Sequence, residues 1–329
     1  MPKDIPDIKP GKPKEKTLYE VIIIGGGCAG LAAAMYSGRF QLKILLVAEN
    51  LGGVITLTTD VENYPGFPSV TGLELAGALE KHMRNYPLDY ADENATRIER
   101  KKDGSFKVAT ASGAYWGKTI IFVTGSEWKK LNVPGEKEFT NKGVHYCALC
   151  DGAFYKNKVI GVVGGADSSA KEALLLTQWA KKVYIIYRGE EIHPEPINMK
   201  RVEQNRKITV INNTNVVEIK GKEKLAHVVF DKPYKGSKEF KLDGLFVEIG
   251  HIPLSRLAKE IGVRLNAKGE IIIDRLASTN IEGFYAAGDV GDSEFKQAIT
   301  GVAEAVNASY AANEYISKRT KPYTEYKKG

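Results

Sequence analysis

Cysteine is scarce, with three residues in a chain of 329. They are too few and too unevenly spaced for a disulfide scaffold. The scarcity points to a reducing, cytoplasmic setting and to chemistry at one pair. Long apolar runs are also missing. No stretch approaches the roughly 18 residues that a spanning helix needs, so no membrane partner is expected. Met1 to Lys16 is rich in Lys, Pro and Asp and lacks an apolar segment, so no secretory signal is expected there. Clustered positive charge is limited too. The net charge is +7 and the pI about 9.0, but the lysines are scattered. The densest group, Lys9 to Lys16, is interrupted by Pro and Glu, which suits a solvated tail better than a nucleic-acid arm. The positive surface would speed encounter with an acidic protein. What is present is ordinary globular usage, 43% hydrophobic and 26% charged with 33 Gly and 13 Pro, which excludes collagen, coiled coil and a disordered chain. At roughly 100–200 residues per domain the length predicts two domains.

Residues 1–17 read as a flexible lead-in. Tyr19 to Ile24 is a β-branched run ended by Gly25-Gly26-Gly27, Ala29 to Tyr36 reads as helix, and Lys43 to Ala48 as a buried strand. This is a βαβ unit of a parallel sheet. The pattern returns with a strand at Lys158 to Val163, a turn at Gly164-Gly165-Ala166, a helix at Ser168 to Trp179 and a strand at Val183 to Tyr187. Thr119 to Thr124 and Leu245 to Gly250 read as strands followed by crossovers. Gly283 to Asp289 reads as a late strand, and Glu294 to Lys318 as a long helix. The fold class predicted is α/β, with two Rossmann-like domains, the second inserted in the first. The boundaries read are a tail over 1–17, one domain over 18–127 and 253–329, and an inserted domain over 128–252.

The first turn reads Gly25-x-Gly27-x-x-Gly30. Gly25 permits the tight turn, Gly27 lets backbone approach a pyrophosphate, and Gly30 lets the helix pack close to the sheet. Glu49 lies 24 residues after Gly25, where a carboxylate accepts from ribose hydroxyls. Cys28 reads as a small packing residue of the turn. The second turn is a degraded copy, Gly164-x-Ala166-x-x-Ser169, with Arg188 at the same 24-residue offset. A cation there suits a 2′-phosphate, although Glu190 and Glu191 follow it. The alternative is a Rossmann-like domain that holds no nucleotide.

Cys147-Ala148-Leu149-Cys150-Asp151 is either a redox pair or half of a zinc site. Zinc needs four ligands. His145 could supply a third, but no fourth is evident, which favours redox. A helix start there favours thiolate, and Asp151 can shuttle a proton. No partner pattern is evident for His82, His193 or His227.

These residues together resemble the low-molecular-weight thioredoxin reductases, over about residues 19 to 318. The resemblance rests on Gly25–Gly30, Gly52-Gly53, Val61–Gly66, Val123-Thr124-Gly125, Cys147–Gly152, Gly164–Glu172, Ala286–Val290 and Lys296–Thr300. It implies that FAD is held by Gly25, Gly27, Cys28, Ala29, Gly30, Glu49, Gly52, Gly53, Thr56, Asn63, Thr124, Gly125, Gly288, Asp289, Lys296, Gln297 and Ala298. It also implies that NADPH or NADH is held by Gly164, Gly165, Ala166, Asp167, Ser168, Ser169 and Arg188. By the same resemblance electrons pass from nicotinamide to FAD, to Cys147–Cys150, and to thioredoxin. Cys150 would face the flavin, Cys147 would attack the partner, and Asp151 would be the acid/base. A cytoplasmic homodimer is implied, with the inserted domain rotating about crossovers near 126–130 and 251–254. The chain departs from the family at Val54, where a Gln is usual, and at Lys296, where an Arg is usual. Gly189 and His193 stand where further arginines of the phosphate clamp are usual, so the preference for NADPH should be weak. A related disulfide reductase for a glutaredoxin-like partner, a donor other than nicotinamide, and a non-catalytic flavin scaffold are the other readings.

Overall fold

The computed structural model describes residues 7–14, 17–58 and 61–320. The amino-terminal part carries β1 (Leu18–Ile24), α1 (Cys28–Arg39), β2 (Ile44–Val47), α2 (Gly72–Met83), β3 (Asp89–Ala91), β4 (Arg97–Arg100), β5 (Phe106–Ala109) and β6 (Ala114–Phe122). The middle carries β7 (Ser126–Trp128), α3 (Glu136–Phe139), β8 (Val144–His145), α4 (Ala148–Asp151), β9 (Val159–Val163), α5 (Asp167–Leu176), β10 (Lys182–Ile186), α6 (Pro196–Gln204), β11 (Ile208–Ile211), β12 (Val216–Gly221), β13 (Leu225–Tyr234), β14 (Ser237–Lys241), β15 (Gly244–Val247) and β16 (His251–Pro253). The carboxy-terminal part carries α7 (Arg256–Glu260), β17 (Phe284–Ala286) and α8 (Ala298–Thr320). The chain divides into two compact units, one of residues 1–126 with 253–329, the other of residues 127–252.

In the first unit a seven-stranded sheet runs β3-β2-β1-β6-β5-β4, with β17 also on β6. The β1–β2, β1–β6, β2–β3 and β6–β17 pairs are parallel, and β4–β5–β6 is antiparallel. Strand β1 is buried on both faces, as parallel strands covered by helices are. Val21 and Ile23 pack with Leu31, Ala33, Ala305, Ala308 and Ala312 of α1 and α8. Ile22 and Ile24 pack with Phe106, Phe122, Leu257 and Phe284 on the other face. The small residues of α1 and α8 allow a close crossing, where Ser309 Oγ donates to Ala33 O at 3.1 Å.

The second unit holds a parallel sheet of order β11-β10-β9-β15-β8 and an antiparallel sheet β12-β13-β14. The antiparallel sheet was not anticipated from the sequence. The two crossings between units, β7 and β16, pair as a two-stranded ribbon.

The described part of the lead-in is anchored, contrary to the expectation of a flexible tail. Ile8 N–H donates to Arg84 O at 2.7 Å, Gly11 N–H to Leu88 O at 2.8 Å, and Tyr90 N–H to Gly11 O at 3.0 Å. An edge strand leaves its backbone groups free to pair, and β3 is such an edge. Tyr19, fully buried, donates from its hydroxyl to Asp89 Oδ2 at 2.7 Å and accepts from Lys14 N–H. Lys9, Lys12 and Lys14 remain exposed, as a solvated group would. Residues 1–6, 15 and 16 lie outside the described residues.

Candidate active site

In the first unit, β1, β2, β6 and β17 end level. Ile24 pairs with Val47 and with Phe122, and Phe122 with Ala286. The crevice beyond such carboxyl ends is where open α/β sheets bind ligands. Gly25 takes φ +117°, and a Cβ there would lie 2.3 Å from Val123 O. A Cβ at Gly30 would lie 2.0 Å from Gly25 O, which is the close helix–sheet packing. At Gly27 a Cβ would meet nothing nearer than 3.8 Å, so that space is held open by the fold. Helix α1 begins with no side-chain cap and no acid in its first turn, leaving N–H groups for an anion. These features fit a dinucleotide pyrophosphate.

Gly52 bridges Gly27, and both Gly52 and Gly53 take positive φ. Ala29 lies against Gly288, whose φ is +76° and whose N–H donates to Glu304 Oε2 at 2.8 Å. Asn63 Nδ2 donates to Gln297 Oε1 at 3.0 Å, tying two distant segments together just before Ala298 opens α8. Asp289 accepts from Ser126 Oγ at 3.4 Å, and Gly125 takes φ +69°. Four expected ligands already have protein partners. Glu49 accepts from Asn94 Nδ2 at 2.5 Å, Thr56 Oγ1 donates to Gly53 O, and Thr124 Oγ1 to Leu254 O. Lys296 Nζ donates to Asp289 O and Gly291 O and pairs with Glu270 at 3.1 Å. Cys28 is buried, and burial pushes its thiol up to about 11, so it is a neutral packing group.

The second unit repeats the turn. Gly164 N–H donates to Ile186 O, φ is +152°, and a Cβ would lie 2.1 Å from Glu248 O. Helix α5 also begins without a side-chain cap, at Ala166. Buried Ser169 turns its hydroxyl back to Ala166 O at 2.7 Å. Asp167 accepts from Glu195 N–H and Asn198 Nδ2 and pairs with Lys171 at 2.8 Å. Burial would raise this carboxyl, but those three donors together hold it below its usual range. Ser168 follows it in the first turn of α5. Arg188 is exposed, with no hydrogen bond or ion pair among the described residues, and is free for a ligand. Tyr187, beside it, is a residue the sequence reading passed over. A Cβ on Gly165 would lie 2.3 Å from its ring and one on Gly189 2.6 Å, so both glycines make room for the aromatic ring. His193 finds a partner in it, with Nδ1 3.4 Å from the Tyr187 hydroxyl.

Cys147 is buried and disulfide-bonded. Cys150 lies one helical turn on, within α4, which ends at Asp151. Glu172 Oε1 accepts from Ala148 N–H at 3.0 Å. Glu172 interacts in turn with Glu248, an acid at the end of an otherwise apolar strand. Both carboxyls are raised well above the usual range. The cause at Glu172 is burial, and at Glu248 burial followed by the charge of Glu172. The pair therefore keeps a proton at neutral pH. The signal for Glu248 was the single charge in Gly244-Leu245-Phe246-Val247-Glu248, since buried carboxyls are rare unless partnered.

A family model described as pyridine nucleotide-disulphide oxidoreductase matches residues 19–308. A thioredoxin reductase of Bacillus subtilis is 37% identical over 308 residues, covering 92% of this chain and 96% of that one. The crystal structure of Lactococcus lactis thioredoxin reductase in its FR conformation aligns with a TM-score of 0.87 at 35% identity, covering 91% of this chain and 99% of that one. That of the T. acidophilum thioredoxin reductase aligns at 0.85 and 32%, covering 92% and 99%.

Proposed function

The chain belongs to the pyridine nucleotide-disulphide oxidoreductases, and from that premise we propose that it is a thioredoxin reductase using FAD, NAD(P)H and a Cys147–Cys150 pair. The observation that carries the reading is the disulfide-bonded Cys147 at the start of α4 beside Asp151, in a chain whose two units each carry an uncapped glycine turn. Gly25 to Gly30 and the start of α1 would hold the FAD pyrophosphate, with Glu49 at the ribose and the Gly288–Ala298 segment at the flavin end. Bound FAD would supply two-electron transfer between nicotinamide and a disulfide. Gly164 to Ser169 and Arg188 would hold the nicotinamide nucleotide.

The residues of the chain account for the exchange step. The Cys147 thiolate attacks one sulfur of the thioredoxin disulfide, and the other sulfur leaves as a thiolate that takes a proton. The Cys150 thiolate then attacks Cys147. This releases thioredoxin as a dithiol and restores the enzyme disulfide. Asp151 takes the proton from the attacking thiol and gives it to the leaving one. Cys147 is buried, so the partner reaches it only once it is uncovered. We assign the hinge to the β7–β16 ribbon, a reading supported by the positive φ of Gly125 and Gly250 on either side of it.

Anaerobic titration of the FAD-loaded chain with NADPH and NADH in parallel, followed by addition of oxidised thioredoxin, tests the reading. Flavin bleaching and stoichiometric thioredoxin reduction are expected, and a folded chain that stays colourless with FAD sinks it. Substituting a glutaredoxin-like protein in the same assay decides between partners.

The donor preference rests on Arg188. A bidentate arginine–phosphate contact is strong, but Glu190 and Glu191 follow closely and no second arginine joins it at Gly189 or His193. The NADPH preference should be about tenfold or less, which is about 1.4 kcal/mol. Arg188→Ala should erase it and leave NADH use nearly unchanged. Steady-state kinetics with both donors would expose a missed phosphate contact as a preference of about a thousandfold, which is about 4 kcal/mol. We place the enzyme in the cytoplasm as a C2 dimer, the commonest closed assembly. Among the described residues no helix is long and apolar enough to cross a membrane. Light scattering at micromolar concentration tests the dimer, and a monomer mass contradicts it.

A further inference from the structure

His145 stands in the sequence as a possible zinc ligand, yet its surroundings are those of an acid–base group. It ends β8, in register with Phe246 of β15. Its ring stacks on Phe246 at 5.3 Å and 27° and is almost fully buried. Nδ1 lies 3.0 Å from Asp151 Oδ2 and Nε2 lies 2.7 Å from the Tyr155 hydroxyl. The Nδ1 approach is an ion-pair distance without hydrogen-bond alignment, and Nδ1 has no hydrogen-bond partner among the described residues. Phe246 fixes the ring plane, and the imidazole therefore spans Asp151 and Tyr155.

We propose that His145 is a positioning residue for Asp151 in thiol exchange at Cys147, holding the proton that passes between the attacking and the leaving sulfur. The proposal rests on the reading of Asp151 as the acid/base. In the resting arrangement Nε2–H donates to the Tyr155 hydroxyl, and the bare Nδ1 faces the Asp151 carboxyl group, ready to take a proton from it. When the Cys147 thiol gives its proton to Asp151, the carboxyl passes one proton to the imidazole. The S–H bond breaks, an N–H bond forms, and Asp151 is again a carboxylate facing an imidazolium. Tyr155 accepts from Nε2–H throughout, so the added proton sits on Nδ1, the nitrogen that faces Asp151. When the partner sulfur leaves, the proton returns through Asp151 to that thiolate, and no charge is gained or lost over the cycle. Imidazole suits the role because one ring nitrogen can accept a proton while the other keeps its hydrogen bond.

The other titratable groups around this chain have stated places. Tyr155 keeps its proton, its phenol pushed up to about 12 by burial and then by the charges of Asp151 and Asp243. Asp243 is engaged with Val159 N–H and Lys158. Glu172 senses Asp151 and is occupied by Ala148 N–H and Glu248. None of them reaches His145 as Asp151 and Tyr155 do.

The test is single-turnover reduction of thioredoxin by the pre-reduced, FAD-loaded enzyme, followed across pH. His145→Asn keeps a donor for Asp151 but cannot hold the proton. It should slow exchange on the order of tenfold, the lower part of the range for proton-transfer groups, and remove one ionisation from the pH profile. Tyr155→Phe preserves the ring and removes only the partner of Nε2, so it should alter the same limb of the profile. FAD content and melting temperature serve as controls on folding. If His145→Asn fails to fold, Tyr155→Phe decides alone. A wild-type rate and pH profile in the folded variants overturns the proposal. If Asp151→Asn itself exchanges at the wild-type rate, it is the acid/base reading beneath that falls.

Discussion

A methyl group at Gly27 and one at Gly30 should have opposite consequences, although both belong to one turn. At Gly30 it would enter the space of Gly25 O, and overpacking of that kind costs about 1–3 kcal/mol. At Gly27 it would enter open space, so Gly27→Ala should melt within about 0.5 kcal/mol of wild type yet lose FAD. Parallel melts and flavin absorbance of the two variants separate the roles. An unstable Gly27→Ala would show that the space serves packing. The Glu172–Glu248 pair gives a pH signature. Each folded carboxyl is raised above its ordinary value of 4.5, so the native state holds protons that the unfolded chain has released. Stability is then full below about pH 4.5 and declines as pH rises, the reverse of a paired carboxylate. Glu248→Gln should flatten the fall in Tm between about pH 5 and about pH 9, which thermal melts would read. The three glycine roles and the cysteine pair were legible because each depends on residue type at fixed spacing. Glu49, Thr56, Thr124 and Lys296 were legible as positions, but their hydrogen-bond partners lie 45 residues, 3 residues, 130 residues and 5 to 7 residues away. The pairings of Glu49 and Thr124, at 45 and 130 residues, are too long-range to leave a local pattern.

Among the elements, α2 shows how much a start signal can carry. Thr71 accepts from Glu74 N–H, and Glu74 reaches back to Thr71 N–H, which is a complete capping box. Thr71→Ala should cost about 1 kcal/mol, measured by denaturant titration. An unchanged midpoint would mean that packing alone fixes the helix. The last helix carries no such box, and its sequence pattern runs back to Glu294, whereas the structure starts it at Ala298. Thr300 Oγ1 accepts from Gln297 N–H at 3.0 Å, which sets the start there. Strand β6 was legible only in its buried second half. Its first half pairs with the antiparallel β5, and Gly117 sits under Ile22, where a Cβ would lie 2.7 Å from Ile22 Cγ1. The β12–β14 sheet escaped notice because lysines and glutamates interrupt the apolar residues of β12 and β14 and read as loop. The lead-in escaped because backbone pairing, and not side-chain pattern, anchors it.

On the scale of the molecule, the twofold division was legible from the repeated βαβ unit, because each copy needs its own sheet. The second unit is continuous in the chain, from residue 127 to 252, whereas the first is closed only by β17 and α8. A fragment of residues 127–252 should therefore fold alone with a cooperative melt, and a chain cut after residue 252 should leave its first 126 residues unfolded. Circular dichroism of both fragments checks this, and a folded 1–126 region without the later elements would refute it. The same interruption has a consequence for biosynthesis. At about 5–20 residues per second, domains fold as they leave the ribosome. The middle unit would emerge whole while β6 still waits for the edge that β17 supplies. During that interval Ile120, Ile121 and Phe122 have no partner on one side, so the nascent chain offers a chaperone its longest-lived apolar strand, and FAD can be loaded only after synthesis is essentially complete.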